Sequence, residues 1–159
     1  MRLLVLRHAE AGNPAGVSDV DRPLTDAGRT AAAALADVVE RLDPDLVLCS
    51  VARRTQETVE QLHLDPGVEV QLEHGLYNAD VDQLLEFVRL VDDEVATVLV
   101  VAHNPGVRDL MVELSGGEGL PAIRPATLAV FELDHEHWWE TAPASGRLVS
   151  LHVPDPDAE

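Results

Sequence analysis

The chain has 159 residues, with 11 basic against 29 acidic side chains and a net charge of −18 when histidine is neutral. That charge disfavours nucleic acid and anionic membranes as principal partners, and the longest apolar runs fall far short of a membrane span. Apolar residues make up 46%, which suits one domain with a substantial core; the expectation is a single domain over 1–153 and an acidic, frayed tail over 154–159. A single cysteine, Cys49, excludes an internal disulfide, and no cleavage site follows an apolar N-terminal region, so the expected location is the cytoplasm. All eleven basic residues are arginine. In so acidic a chain, arginines gathered beside particular motifs point to an anion, because guanidinium matches phosphate geometry.

Leu3-Leu4-Val5-Leu6 is a run of branched apolar residues that stops on Arg7-His8. Such a run reads as a strand buried on both faces. A breaker-rich loop from Glu10 to Gly16 follows, and Asp21-Arg22-Pro23-Leu24-Thr25 leads out of it. Thr25 is an expected helix N-cap, and Ala31, Ala34, Leu35, Val38, Val39 and Leu42 recur at helical spacing until Asp43-Pro44. Asp45–Cys49 is a second buried strand; Ser50 is an expected N-cap, with Arg54 in the second turn of the helix behind it. Val68–Leu72 alternates like a strand with one wet face. Asp80 is an expected N-cap for a helix through Val81, Leu84, Leu85 and Val88.

Thr97–Ala102 is the strongest buried strand and ends on His103. Asn104 is an expected N-cap with Pro105 at the first helical position, and Val107, Leu110, Met111 and Leu114 form the apolar face up to Ser115–Gly119. Residues 126–133 and 147–153 read as a hairpin-like pair of strands at one sheet edge, with Trp138 and Trp139 between them covering an edge or meeting a partner. Strands alternating with helices give an α/β fold, a three-layer α/β/α sandwich with a mainly parallel sheet.

Three strands deliver Arg7-His8, Ser50 with Arg54, and His103 to one rim, the side where open α/β sheets bind ligands. Two histidines among arginines suggest phosphoryl transfer, in which catalysis is largely positioning and charge stabilisation. Arg7 and Arg54 can each donate two hydrogen bonds to phosphoryl oxygens, the helix starting after Asn104 offers free N–H groups, and His103 can donate to an equatorial oxygen. His8 can attack phosphorus if its nucleophilic nitrogen is deprotonated. Arginine and histidine supply the positive charge, so no metal or other cofactor is expected; the spacing of His135, Glu136, His137 and His152 fits no metal site.

These segments resemble a known family. Leu6-Arg7-His8-Ala9-Glu10 resembles the Arg-His-Gly signature of the histidine phosphatase superfamily, and residues 21–28 its Pro-Leu-Thr-x-x-Gly segment. Residues 50–58 are similar to its Ser-x-x-x-Arg-Ala-x-x-Thr segment, which puts Arg54 rather than Arg53 at the catalytic arginine, and Val100–Asn104 to the strand ending in its second histidine. The resemblance implies a phosphoglycerate-mutase-like fold, transient phosphorylation of His8, and a phosphate surrounded by Arg7, Arg54 and His103. The short chain and the Arg-Pro-Leu-Thr form resemble the SixA branch, whose activity is dephosphorylation of protein phosphohistidine, with Arg22 a candidate further contact.

Two features depart from the pattern. Ala9 replaces the usual glycine, and no carboxylate clearly matches the general acid of mutases and broad phosphatases; Glu73 is the nearest candidate, then Asp80 and Asp82. An imidazole leaving group needs less help than an alkoxide, which favours a phosphorylated protein over a small phosphate ester. The alternatives are a small-molecule phosphomonoesterase or mutase-like transfer, and a non-catalytic phosphate-binding regulatory module.

Overall fold

The apolar runs form strands β1 (Arg2–Arg7), β2 (Leu46–Ser50), β3 (Glu69–Glu73), β4 (Thr97–Ala102), β5 (Leu128–Leu133) and β6 (Gly146–His152). In the computed structural model, which describes residues 1–117 and 119–155, they make one six-stranded sheet in the order β3-β2-β4-β1-β5-β6. The first four are mutually parallel, while β5 runs antiparallel to β1 and β6 antiparallel to β5, forming the expected edge pair. Of the expected tail, residues 156–159 lie outside the described residues, as does Glu118. Among the described residues no helix is long and apolar enough to cross a membrane.

Successive strand side chains point to opposite faces, so one buried run feeds two cores. Leu3, Val5, Leu48, Val98, Val100 and Phe131 pack under helices α4 (Val81–Arg89) and α5 (Gly106–Leu114). Leu4, Leu6, Val47, Cys49, Val101 and Leu128 pack against Leu24, Ala32, Leu35, Val39 and Leu62 on the other face, beside α1 (Asp26–Ala33), α2 (Ala36–Leu42) and α3 (Arg53–Gln61). The result is the three-layer sandwich. Neighbouring β1 and β4 lead to helices on opposite faces, which opens a crevice between their carboxyl ends.

The structure corrects several local expectations. The helix expected over 26–42 is two: a Leu35 N–H bond to Ala32 O tightens the turn and buries Leu35. Ser50 ends β2 rather than capping α3; Ala52 takes the cap position, so Arg54 lies in the first turn. Helix α5 starts one residue late, with Pro105 at the cap position, while Asn104 Oδ1 accepts the Arg108 N–H. The edge strand β3 has no fully covered face, since Val70 and Leu72 are 41% and 49% exposed. Trp138 is fully buried and donates to Val95 O, so it belongs to the core, whereas Trp139 stacks on His137 near the surface.

Thr25 caps α1 as expected, its hydroxyl accepting the Gly28 N–H while its own N–H bonds Glu10 O. This presses the helix onto the chain leaving β1, and a Cβ at Gly28 would lie 2.2 Å from Glu10 O. Helix propensity alone favours Gly28→Ala by about 1 kcal/mol. The clash is with backbone, so the substitution should instead destabilise by about 1–3 kcal/mol, read as a lowered urea midpoint at unchanged slope.

Candidate active site

His8 follows β1 and His103 follows β4, across the crevice; their ring centroids are 5.2 Å apart. His8 N–H bonds the Ala102 carbonyl, tying the first loop to the neighbouring strand end. His8 Nδ1 lies 2.7 Å from Ala9 O. A carbonyl can only accept, so Nδ1 carries the proton and Nε2 keeps its lone pair. Burial, chiefly, with the Arg54, Arg7 and Arg22 guanidinia against it, pushes the His8 pKa down to about 4 despite the Ala9 bond. The ring is therefore a neutral base at pH 7, the state a nucleophile needs.

His103 is buried, and its Nε2 lies 2.8 Å from Ser50 Oγ. Burial, then the neighbouring His8 and Arg54, lower its pKa to about 3. Arg7 Nη1 donates to Ile123 O at 2.7 Å, an oxygen that also receives Asn104 Nδ2 at 3.3 Å. Among the described residues, no hydrogen-bond partner reaches the buried Arg7 Nε or the buried His103 Nδ1.

Arg54 is brought in by the start of α3 and is 4% exposed. Its Nη1 donates to Asp19 O at 2.7 Å and its Nη2 to Asp19 Oδ2 at 3.2 Å. Arg53 points outward and pairs with Glu57, whereas Arg54 is buried. Thr58 locks the helix to the loop: its hydroxyl donates to Arg54 O and accepts the Ala9 N–H at 3.0 Å. The Ala9 methyl packs into the core beside Leu6, Leu24 and Ala32.

Arg22 donates to Gly12 O at 2.8 Å and to Asp19 Oδ1 at 3.1 Å. Glu73 ends β3 opposite Ser50 but lines a cavity with Leu48, Gln71, Phe87 and Leu90, none of them a member of the histidine–arginine group. Asp80 caps α4 in a reciprocal pair with Gln83. A larger groove of about 670 Å³ lies elsewhere, between α1–α2 and β6; it is lined by Leu35, Val38, Ala126 and Leu151 and holds none of the crevice residues.

Sequence reasoning missed Asp19 and Tyr77. Asp19 sits in a single helical turn, Asp19–Asp21, and its carboxylate also accepts a short bond from the Tyr77 hydroxyl. Tyr77 stands edge-on to His103 at 5.6 Å and lies beneath Arg54 at 5.8 Å. The available signals were an aspartate three residues before Arg22 and the chain's one tyrosine in a strand-to-helix loop.

The α/β sheet thus carries a histidine pair at its strand crevice, with Arg54 buried and Arg7 half-buried beside it, an arrangement able to receive an anion. Residues 3–86 match the sequence model of the histidine phosphatase superfamily (branch 1). The phosphohistidine phosphatase SixA of Escherichia coli K12 is 30% identical over 160 residues, covering 94% of this chain and 98% of that one. Protein Rv1276c of Mycobacterium tuberculosis H37Rv is 31% identical, with 94% and 99% covered. A SixA-type structure from Nakamurella multipartitia superposes with a TM-score of 0.88 at 30% identity, covering 96% and 95%. The protein histidine phosphatase SixA complexed with tungstate gives 0.81 at 27%, covering 97% of each chain. The chain belongs to the histidine phosphatase superfamily, and SixA proteins are among its relatives.

The His8 and His103 rings should titrate far below the ordinary histidine range, because desolvation penalises the imidazolium. His137, paired with Asp93, is shifted upward. In a nitrogen-detected NMR titration at about pH 5.5, below the usual histidine value near 6.5, His8 and His103 should read as neutral and His137 as protonated. A protonated His8 at that pH would contradict the electrostatics described.

Proposed function

We propose that the protein is a phosphatase that hydrolyses phosphohistidine on a protein through a covalent phosphohistidine at His8. The observation that carries this reading is the state of His8: a neutral ring whose Nε2 is left free by the Nδ1–H bond to Ala9 O, with the His103 ring 5.2 Å away and the Arg54 and Arg7 guanidinia acting on it. Tungstate, which the related SixA structure holds, is a tetrahedral oxyanion like phosphate. The substrate class is supported by the SixA relatives and by the surroundings of Glu73 and Asp80, neither of which, among the described residues, faces the histidine–arginine group.

In the proposed sequence His8 Nε2 attacks phosphorus as the bond to the substrate imidazole breaks, and the electron pair leaves on that imidazole. Arg7 and Arg54 hold the equatorial oxygens. Ser50 Oγ already accepts the Ala52 N–H; its own proton is directed to His103 Nε2, leaving the His103 Nδ1–H to meet a phosphoryl oxygen. Asn104 fixes the wall by holding Ile123 O beside Arg7. Water then attacks phosphorus and His8 leaves as the neutral ring. Guanidinium supplies the charge stabilisation, so rates should be unchanged by a chelator.

Turnover of a phosphohistidine-carrying protein and of an aryl phosphate should fall by at least about 1,000-fold in His8→Asn, and a rapid acid-labile phosphoenzyme should form only in the wild type. Arg54→Ala should cost about 100- to 1,000-fold, and Arg53→Ala and Glu73→Gln less than about threefold, as expected away from the reacting groups. Aryl phosphate turnover without preference for the phosphoprotein would make the protein a small-molecule phosphatase. Tight phosphate binding without turnover of either would make it a binding module.

A further inference from the structure

Resting on the phosphohistidine reading, we propose that Asp19 selects the substrate by its leaving group: its carboxylate accepts the ring N–H of the departing imidazole and repels leaving groups that carry negative charge. Asp19 touches Arg54 twice, through its main-chain and side-chain oxygens, and also binds Arg22 and Tyr77. The Asp19 side chain is 49% exposed and that of Arg54 only 5%. The carboxylate thus forms the outer lip of the site over the arginine beneath it.

This carboxylate does not serve as a proton donor near neutral pH. The Tyr77 hydroxyl, then Arg22 and Arg54, hold its pKa at about 2. Tyr77 is no better, since its proton is given to Asp19, and that bond raises the phenol above its ordinary range. Glu73 lines a separate cavity, and Asp80 is paired with Gln83 at the start of α4. A leaving group that must collect a proton is therefore poorly served, and an alkoxide would form against a fixed negative charge.

A phosphohistidine protonated on its second ring nitrogen brings its own proton. When the P–N bond breaks, the electron pair stays on the departing nitrogen, the ring proton stays on the far nitrogen, and neutral imidazole leaves as the His8–phosphorus bond forms. A carboxylate accepting that far N–H stabilises the protonated, reactive form of the substrate. The field of Asp19 reaches the crevice, where it opposes the lowering of the His103 pKa.

The test compares kcat/KM of wild type and Asp19→Asn on phosphoimidazole, p-nitrophenyl phosphate and 3-phosphoglycerate. Asparagine keeps the shape and an acceptor oxygen; nitrophenolate also leaves with negative charge, so the aryl phosphate combines any damage through Arg54 with relieved repulsion, and the ratio to phosphoimidazole removes the damage common to both substrates. The ratio of phosphoimidazole to aryl phosphate turnover should fall at least about 10-fold, as for a lost charge-assisted hydrogen bond, and the ratio of phosphoglycerate to aryl phosphate should rise. The alkaline limb of kcat on phosphoimidazole should move down by about one pH unit, because the ring proton loses its carboxylate partner. Ratios unchanged within about threefold, the mark of a residue that only holds Arg54, would overturn the inference and leave the phosphohistidine reading standing. A wild type that hydrolyses the aryl phosphate but not phosphoimidazole would overturn that reading, and the inference with it.

Discussion

The hydrogen bond from His8 Nδ1 to the Ala9 carbonyl is the contact on which the proposed chemistry of the site depends. Imidazole has two nitrogens of similar basicity, and only the one without a proton can attack. A carbonyl partner fixes that choice without a second titrating group, and burial with the nearby guanidinia keeps the ring neutral. Positive charge gathered for an anion would raise the cost of protonating the nucleophile in any case. The same arginines thus suit both tasks.

That bond has value only if the loop carrying it is held rigidly. Ala9 N–H is bound by Thr58, and Thr58 in turn binds the carbonyl of Arg54. The His8 loop and the guanidinium are therefore positioned by one hydroxyl. His8 N–H bonds Ala102 O immediately before His103, and the N–H of Ala126 meets both the Arg7 and His8 carbonyls. Gly28 lets α1 sit against Glu10. The tight-packing residues of the expected family segments, Thr58 and Gly28, thus act on the backbone around His8 and never enter the crevice. Ala9 follows the same logic: its methyl faces the core, so it fills apolar space and does not crowd the His8 ring.

Buried strands were legible because their apolar runs are continuous and end abruptly on polar residues; β1, β2 and β4 fall within a residue or so of their expected bounds. His8, Arg7, Arg54 and His103 were legible because each lies at such an end or at a fixed offset from one. Helix starts were less so. Ser50 looked like a cap because serine caps helices well, yet its hydroxyl faces His103, a tertiary partner that local pattern cannot reveal. Asp19 and Tyr77 are 58 residues apart, and neither lies in a periodic segment. Only the folded loops bring them together, and composition offered no reason to pair a turn aspartate with a lone tyrosine.

The acid that sequence reasoning sought near Glu73 points to a wider constraint. A general acid must hold a proton near neutral pH, which requires burial or a second carboxylate to raise its pKa. Asp19 has the opposite surroundings: two guanidinia and a phenol, all favouring the ionised form. A site that packs arginines tightly enough to grip a phosphoryl group makes any carboxylate beside them a poor proton donor. This constraint is what the proposed reading rests on: a leaving group that arrives already protonated needs no such donor, and the imidazole of phosphohistidine meets that condition near neutral pH.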